Sequence, residues 1–246
     1  MRHLALLSIA YLMLMLLVTA PASLLDPLVR RISHEKLSLA NTRGTIWQGS
    51  ATPVLHVGEN REIALHTLNW KIRLLSLLSG RLGAELGWDG QKSEPAMALS
   101  LNSKGVMLTD ARLPLPAEMI GELSPLLKPA QFYGDLDIQS RQLAFADHRL
   151  QGSASVRWNQ AGSALSSVNP LGNYQIDIVA VQDELNAVLT TRDGALLLEG
   201  RGSWSAAQGL HFSGTARAAP DAESTLAELL QHLGHQTTPG TSLISI

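Results

Sequence analysis

The sequence predicts a mainly β protein, in which an N-terminal transmembrane helix precedes a curved antiparallel β-sheet domain with two or three short helices. Three observations support this fold class: a long uncharged apolar run at the N-terminus, many short segments of alternating apolar and polar residues, and short links between those segments. Alternation is typical of half-buried strands, and short links favour antiparallel neighbours. We therefore expect residues 1–25 to form a cytoplasmic tip and a signal-anchor helix, and residues 26–246 to form a translocated β-rich domain.

The apolar run from Leu4 to Ala20 contains no charged residue. A helix of this length spans roughly 25 Å, and extension through Leu24 and Leu25 brings it to the roughly 30 Å of a hydrocarbon core. A cleaved signal peptide is the alternative, because Ala20-Pro21-Ala22 has the small residues of a cleavage site. The run is longer than signal-peptide cores usually are, which favours a retained anchor. The domain that follows is translocated in either case.

The orientation of this segment depends on its flanks. Arg2 lies in a very short N-terminal tail, which favours insertion with the N-terminus in the cytoplasm. Arg30, Arg31 and Lys36 follow the segment, so the distribution of positive charge alone is nearly neutral. The short tail therefore decides the predicted orientation.

Short alternating segments recur through the rest of the chain and predict its strands. The first runs from Leu37 to Ala40 and leads into the glycine-bounded segment Gly44–Gly49. Arg192-Asp193-Gly194 and Ala207-Gln208-Gly209 are typical of hairpin turns, which favours an antiparallel meander. The other alternating segments are Ala96–Leu101, Val106–Leu108, Asp135–Gln139, Gly152–Trp158, Tyr174–Val181, Leu185–Thr190, Ala195–Trp204 and Leu210–Ala216.

Three leucine-rich segments have helical spacing and predict short helices: Leu74–Leu82, Pro116–Leu127 and Leu226–Leu233. The last is the clearest, because its leucines at i, i+3, i+4 and i+7 share one helix face. Asp221 or Ser224 is expected to cap its N-terminus, and Gly234 follows its end. The tail after His235 is predicted to be either one more strand or disordered.

A weak internal similarity leaves open a division of the 26–246 domain into two similar halves. Gly83–Trp88, Gly152–Trp158 and Gly200–Trp204 each look like a strand of small residues that ends in Trp. The match is too loose to establish a repeat period.

The composition excludes several classes of function. Lys and Arg total 19 and Asp and Glu total 21, so a basic surface for nucleic acid is not expected. The chain has no Cys, which excludes disulfides, thiolate metal sites and cysteine nucleophiles. A phosphate-binding glycine loop and a Gly-x-Ser-x-Gly nucleophile elbow are also missing from the sequence. We therefore predict a protein that is not an enzyme, with no catalytic, cofactor-binding or metal-binding residues and no cofactor.

The histidines are the first candidates for chemistry. His232 and His235 are three residues apart at the end of the last predicted helix, a spacing that suits a metal ion, but no carboxylate pair completes a ligand set. Exposed helix-end histidines, favoured by the helix dipole, are the preferred interpretation. His56 and His66 flank a predicted turn and are interpreted as surface residues.

Asp135 and Asp137 are the second candidates, because residues two apart share one face of a strand. Paired carboxylates could serve acid–base chemistry or bind calcium. Leu136 and Ile138 occupy the opposite face, however, so we expect both aspartates to face solvent.

The tryptophans allow two interpretations. They could line a groove for lipid or a partner, or they could pack in the core at strand ends, which is the commoner role. The residues concerned are Trp47, Trp70, Trp88, Trp158 and Trp204.

Several short motifs follow one another along the chain. They are Gly44–Ala51 (GTIWQGSA), Leu68-Asn69-Trp70 followed by Leu77–Leu82, Asn169–Gly172, Leu198–Trp204, Phe212–Arg217, and a closing helix with Leu229, Leu230, Leu233 and Gly234. Together with the short N-terminal anchor, this pattern resembles the protein N family of bacterial type II secretion systems. The first block looks like that family's early Gly-Thr-x-Trp-x-Gly strand. The resemblance runs from about residue 1 to residue 235, and the region from Gln91 to Leu150 carries no matching block.

The resemblance implies a non-catalytic, single-pass subunit of the inner membrane of a Gram-negative bacterium, with its C-terminal domain in the periplasm. Its machine would export folded proteins from the periplasm across the outer membrane. The expected partners are other subunits of the inner-membrane platform, together with the lipid bilayer around residues 4–25. Contact with those subunits is expected through exposed strand edges or loops, because edge strands carry unpaired backbone groups.

Two other hypotheses remain open. The first is an anchored periplasmic lipid-handling protein, in which a curled sheet forms a groove for an acyl chain; a continuous dry groove would favour it, and a packed core would favour a scaffold. The second is a periplasmic hydrolase, which would need a Ser–His or His–carboxylate cluster assembled in space.

Overall fold

A computed structural model describes residues 11–13, 15–57, 61–73, 76, 80–89, 97–123, 127–147, 149–181, 183–238 and 240–245. Over these residues the protein is mainly β, with antiparallel strands and a few short helices, as the sequence predicts. The chain divides into two compact units, Met1–Ser103 and Lys104–Ile246, which we call the N-terminal and C-terminal units.

The start of the N-terminal unit is helical at residues 11–13 and 15–18. All large apolar side chains described there are about half exposed or more, from 49% at Met15 to 70% at Met13. Residues 1–10 and 14, which hold much of the predicted membrane segment, lie outside the described residues. Among the helices that the structure describes, none is both long enough and apolar enough to cross a membrane.

The N-terminal unit continues with a helical turn at Ala22–Leu24, helix α1 at Leu25–Ile32, and a mostly meandering antiparallel sheet. In this sheet the strand order is β1-β2-β4-β5-β6, and β3 pairs with β2. Its core is small and lies where α1 meets the sheet: Ala22, Ala51 and Trp70 are buried, and Leu25 packs against them. The strands are β1 (Leu37–Gly44), β2 (Gln48–Val57), β3 (Arg61–Ala64), β4 (Leu68–Arg73), β5 (Leu82–Trp88) and β6 (Met97–Asn102).

The C-terminal unit is an antiparallel sheet in the order β7-β8-β9-β10-β11-β12-β13-β15-β14. Helix α2 (Ile120–Leu123) lies between β7 and β8, and helix α3 (Glu223–Leu233) lies between β13 and β14. The strands are β7 (Gly105–Pro116), β8 (Phe132–Ala146), β9 (Arg149–Ser163), β10 (Gly172–Val181), β11 (Glu184–Gly194), β12 (Leu196–Ser205), β13 (Gly209–Ala218), β14 (His235–Thr238) and β15 (Thr241–Ser245).

The pairing register places apolar residues of neighbouring strands on one face of the C-terminal sheet. Ile176, for example, lies between Val156 on β9 and Leu189 on β11. Because directly paired residues share a face, the same side collects the apolar set of β7 to β13, which we call the apolar face. Its larger members are Val106, Leu108, Leu113, Leu115, Leu136, Ile138, Leu143, Phe145, Leu150, Val156, Trp158, Tyr174, Ile176, Ile178, Leu185, Leu189, Leu196, Leu198, Trp204, Leu210 and Phe212.

Helix α3 covers one end of this apolar face. Leu226 and Leu230 are fully buried against Leu196 and Ala216, and the Ser242 hydroxyl donates to the Leu230 carbonyl oxygen at 2.7 Å. At the other end Phe145, Trp204 and Leu210 remain 48%, 45% and 58% exposed. The packed core of this unit is therefore concentrated under α3.

Most of the predicted elements are confirmed. The alternating segments coincide with strands over their described residues, the link at residues 206–208 joins β12 to β13, and α3 ends before Gly234. The strand prediction is wrong for Gly44–Gly49, because residues 45–47 form the connection between β1 and β2. The predicted helix cap is wrong: Ala222 occupies the N-cap position, without a side-chain hydrogen bond from either Asp221 or Ser224. Residues 192–194 continue β11 instead of forming a turn, because the end of β11 stays paired with β10, as Gly194 does with Gly172.

The other two leucine-rich segments differ from expectation. Between Pro116 and Leu127 the structure has a helical turn at Ala117–Met119 followed by the four-residue α2, and residues 124–126 lie outside the described part of the chain. Most of Leu74–Leu82 also lies outside it, and Leu82 itself begins β5. The C-terminal tail, which the sequence predicts to be either one more strand or disordered, forms two strands, β14 and β15.

Tyr174 provides a test of this packing. Its side chain is 2% exposed, its hydroxyl donates to the Leu196 carbonyl oxygen at 2.9 Å, and burial raises its pKa. The folded protein therefore resists ionisation that the unfolded chain undergoes above about pH 10, so stability should be complete below that pH and fall above it. Tyr174→Phe should lose about 1 kcal/mol at pH 7 and weaken the alkaline decline.

Urea unfolding at pH 7 and at alkaline pH measures both effects. Tyr133→Phe is the matched control, because Tyr133 is 41% exposed and its hydroxyl makes only a long contact of 3.4 Å to Gln131. Equal alkaline declines in the Tyr174 and Tyr133 variants would contradict the prediction.

Candidate functional site

The Gly44–Gly49 segment forms the tight connection between β1 and β2 and binds the end of the apolar N-terminal helix. Gly44 has φ +84°, a left-handed conformation that glycine adopts without strain. The Trp47 indole nitrogen donates to the Leu17 carbonyl oxygen at 2.8 Å, and the Ile46 amide donates to the Ala20 carbonyl oxygen at 2.9 Å. The motif therefore fastens the sheet directly to the chain that leaves the helix.

Trp70 lies against this connection and hydrogen-bonds to it. Its indole nitrogen donates to the Ile46 carbonyl oxygen at 3.1 Å, and its ring is 8% exposed, among the buried core residues of the unit. Gly49 lies directly opposite Trp70 in the β2–β4 pair, where a Cβ atom would lie 2.7 Å from the Trp70 ring. The glycine thus leaves the space that the ring occupies.

A shallow groove of about 480 Å³ lies beside the motif. Arg43, Lys71 and Glu85 line it together with Trp70. The Arg73 guanidinium hydrogen-bonds Glu85, and this contact holds the pKa of the carboxyl below its usual range. The groove therefore carries charges of both signs.

Ser38, His56 and Glu62 come together on β1, β2 and β3. The His56 Nε2 atom is 2.8 Å from the Ser38 hydroxyl, and Nδ1 is 3.4 Å from a Glu62 carboxylate oxygen. This order matches a serine-hydrolase triad, which also needs backbone donors for an oxyanion. The amide of Leu39, next to Ser38, is already bound by the Asp26 carboxylate at 2.7 Å. The trio therefore lacks this neighbouring donor and fits a cross-strand hydrogen-bond network.

The surface prediction for the two flanking histidines holds only for His66, which is exposed. His56 is half-buried because it pairs with Glu62 across the β2–β3 ladder and reaches Ser38 on the other side. The sequence alone does not predict this trio; the closeness of His56 and Glu62 to one predicted turn is the signal that it offers.

The aspartates of β8 also differ from each other. Asp135 is exposed as expected, but Asp137 is half-buried between Arg112 and Arg157, at 3.9 and 3.8 Å, and accepts a hydrogen bond from Gln139. One Asp137 carboxylate oxygen has no hydrogen-bond partner. Both residues lie on the face opposite the apolar face, and the cluster is an ion-pair network in place of the predicted solvated pair.

The C-terminal histidines belong to different elements. His232 lies in the last turn of α3 and contacts the Glu228 carbonyl oxygen at 2.8 Å, whereas His235 begins β14. The predicted placement of both on the helix end is therefore wrong for His235. Within the described ranges no three His, Asp or Glu side chains are grouped so that they could hold a metal ion.

The tryptophans divide between the two interpretations. Trp70 and Trp88 are buried at 8% and 7% exposure, which agrees with core packing. Trp158 packs edge-on against Phe132 with ring centroids 5.5 Å apart, whereas Trp204 is nearly half exposed on the apolar face. Trp204 is therefore placed as a residue lining an apolar groove would be, whereas Trp70 is buried and also borders the groove beside the β1–β2 connection.

Comparisons with known proteins agree with the motif order. The family model for type II secretion system protein N matches residues 35–244. The type II secretion system protein N of Vibrio cholerae is 31% identical over 150 residues, which span 59% of this chain and 56% of that protein. The protein of the same name from Klebsiella pneumoniae is 29% identical over 238 residues, 92% of this chain and 86% of that protein. No solved structure matches.

Proposed function

Because the chain belongs to the type II secretion system protein N family and is thus a type II secretion component, we propose that it is a non-catalytic subunit anchored in the inner membrane. Its β-rich units lie in the periplasm and contact other subunits of the inner-membrane platform, supporting export of folded proteins across the outer membrane. The observation that carries this proposal is the family match over residues 35–244.

The N-terminal helix supports the membrane anchor. The large apolar side chains described between residues 11 and 18 are exposed, with Leu12, Leu16 and Leu17 between 54% and 64% exposed. A helix that is apolar all round needs a surrounding apolar phase. The bilayer supplies that phase, and the Trp47 and Ile46 hydrogen bonds hold the periplasmic domain at the helix end.

Sheet edges offer the contact sites for other subunits. The edge at β1 is covered by α1, whose Asp26 carboxylate accepts the Leu39 amide. In the described part of the C-terminal unit, β14 pairs only with β15. Its other side can accept a strand from a partner, since an unpaired edge forms backbone hydrogen bonds readily.

A deletion strain of the native host tests the proposal. Folded exoproteins should accumulate in the periplasm and return to the medium when the intact gene is supplied. A version in which a cleavable signal peptide replaces residues 1–20 should accumulate in the periplasm and restore secretion poorly. Normal export in the deletion strain, together with no crosslinks to platform subunits, would reject the proposal.

The absence of catalysis gives a separate prediction. Ser38→Ala and His56→Ala should leave export unchanged, because these side chains only bond to each other and to Glu62 across the sheet. Each variant should lose about 1 kcal/mol of stability. Export measured at equal protein levels checks this, with His66→Ala as an exposed control. A stable, abundant His56 variant without export would argue for catalysis.

The apolar face of the C-terminal unit favours lipid handling as a second candidate function. All the apolar-face residues named above are uncharged, and Tyr174, which carries a hydroxyl, bonds internally to the Leu196 carbonyl oxygen. Outside the area under α3, residues such as Phe145, Trp204 and Leu210 stay exposed to an extent unusual for a packed core. An extended hydrocarbon chain fits a surface that offers contact area without free polar groups.

Photocrosslinking with a diazirine fatty acid in membranes that contain the full chain tests this second function. Labelling should map to the apolar face and disappear in Leu189→Glu. Val188→Glu is the matched control, because Val188 is the preceding residue of β11, is 43% exposed and lies on the opposite face. Equal labelling of both folded variants would exclude an acyl-chain site.

A further inference from the structure

We propose that α1 lies on the periplasmic surface of the inner membrane, with an apolar stripe of its side chains inserted between the lipid headgroups. The inference rests on the proposed membrane anchor and extends it, because it fixes how the N-terminal unit is held against the bilayer. The stripe consists of Leu28 and Ile32 of α1 together with Leu24 of the helical turn directly before it, which are 52%, 72% and 56% exposed.

The geometry of α1 separates two faces. Leu24, Leu28 and Ile32 are four residues apart, so they follow one another along one side of the helix. The Asp26 carboxylate lies on the other side and accepts the Leu39 amide at 2.7 Å, and Leu25, at the border between the two faces, packs against the buried core of the unit. The helix is thus fastened to the sheet by one side while its apolar stripe points outward.

The chain before α1 brings this stripe to the membrane. The apolar run ends at Ala20, and Leu24 is the fourth residue beyond it. Ala20 is held by the Ile46 amide, and the Trp47 indole is bonded to Leu17 within the helical segment. The end of the anchor is therefore attached to the β1–β2 connection and α1 to strand β1, so α1 cannot move far from the bilayer surface.

The charges beside the stripe fit phospholipid headgroups. Arg30 and Arg31 occupy the last turn of α1. Arg30 is bonded to Glu35 at 2.8 Å, whereas Arg31 is exposed beside the apolar stripe. An amphipathic helix with this arrangement buries its apolar side at the boundary of headgroups and acyl chains and places its cations at the phosphates.

A protein partner could also cover an exposed apolar stripe. The bilayer is favoured because the stripe follows the anchor within one turn of helix and is tied to the same strands. A protein subunit in that place would have to displace the lipid next to the anchor. The test therefore uses the full chain alone in vesicles, where no other subunit can provide the cover.

The lack of native cysteine makes single-site labelling direct. Full-length Leu28→Cys and Ile32→Cys variants carry an environment-sensitive fluorophore in vesicles of phosphatidylethanolamine and phosphatidylglycerol. Lipids with a nitroxide near the headgroup should quench both sites strongly, and emission should shift to the blue. Leu16→Cys reports the anchor and should be quenched by a nitroxide on the acyl chains.

Leu101→Cys is the matched control, because Leu101 is an apolar residue of β6 that is 41% exposed in the same unit. It lies four strand positions from β1, roughly 19 Å across the sheet, and should not be quenched. If the Leu16 site were quenched but the Leu28 and Ile32 sites were as unquenched as Leu101, the inference would be overturned and the membrane anchor would still stand. Absence of quenching at Leu16 would reject the anchor and the inference together.

Arg31→Glu gives a second measurement. Replacing the cation with an anion should weaken quenching at the Ile32 site in vesicles that contain phosphatidylglycerol, and the difference should shrink as salt is raised. Quenching that is the same with either residue would contradict headgroup contact by Arg31.

Discussion

Replacing the buried Leu230 with aspartate is expected to detach α3 from the sheet and to abolish secretion. Leu230 is 0% exposed, and its helix contributes Leu226, Leu229 and Leu230 to the packed core of the C-terminal unit. Loss of a buried leucine costs about 2–5 kcal/mol, and a carboxyl without a partner in the same place costs several more. The sum approaches the whole stability of a typical domain, about 5–15 kcal/mol.

The effect is specific to burial under α3. Val181→Asp is the control, because Val181 also loses an apolar side chain but is 58% exposed on β10. Protease resistance of the membrane-inserted chain and exoprotein export should both fail for the Leu230 variant and persist for the Val181 variant. A protease-resistant, fully active Leu230→Asp protein would show that α3 does not hold the unit together.

Much of the fold could be predicted because apolar and polar residues alternate with a period of two along its strands. The predicted segments at Gly152–Trp158 and Tyr174–Val181 each lie within a strand, β9 and β10, and those strands pair as consecutive hairpins. The cap of α3 could not be chosen from sequence, because Asp221 and Ser224 both have suitable side chains and the backbone uses neither. Capping depends on where the turn from β13 places the helix start, which is a tertiary effect.

The functional surface was harder to predict than the fold. The Ser38–His56–Glu62 trio joins three strands, and its members are distant enough in sequence that only the pairing register reveals it. The docking of α1 depends on Asp26 meeting the Leu39 amide thirteen residues away. In contrast, the Gly-Thr-x-Trp-x-Gly motif was visible at once, but its role in holding Leu17 and Ala20 required the structure.

The same motif gives the second large effect: Gly49→Ala should destabilise the N-terminal unit and reduce export. The added Cβ would lie 2.7 Å from the Trp70 ring and 3.0 Å from the Thr45 carbonyl oxygen, and it would also meet the Arg43 carbonyl oxygen. Two of these neighbours are backbone atoms of the tight connection and cannot rotate aside. Overpacking of this kind costs about 1–3 kcal/mol.

The structure predicts how this strain spreads. A displaced Trp70 loses its hydrogen bond to the Ile46 carbonyl oxygen, and Ile46 in turn holds Ala20 at the end of the apolar helix. The variant should therefore loosen the link between the membrane segment and the sheet, in addition to lowering the free energy of unfolding. Faster cleavage by a protease near Ala20 would report the loosened link separately.

Gly87→Ala is the control for this substitution. Gly87 lies on β5 of the same sheet, and a Cβ placed there meets no atom within 4 Å. Because alanine restricts the unfolded chain more than glycine does, this variant should be neutral or slightly more stable. Urea unfolding, proteolysis and export should then separate the two variants. If Gly49→Ala matched Gly87→Ala in all three measurements, the space next to the Trp70 ring would not be the reason for a glycine at this position. The proposed role of the motif in joining the sheet to the membrane segment would then be rejected.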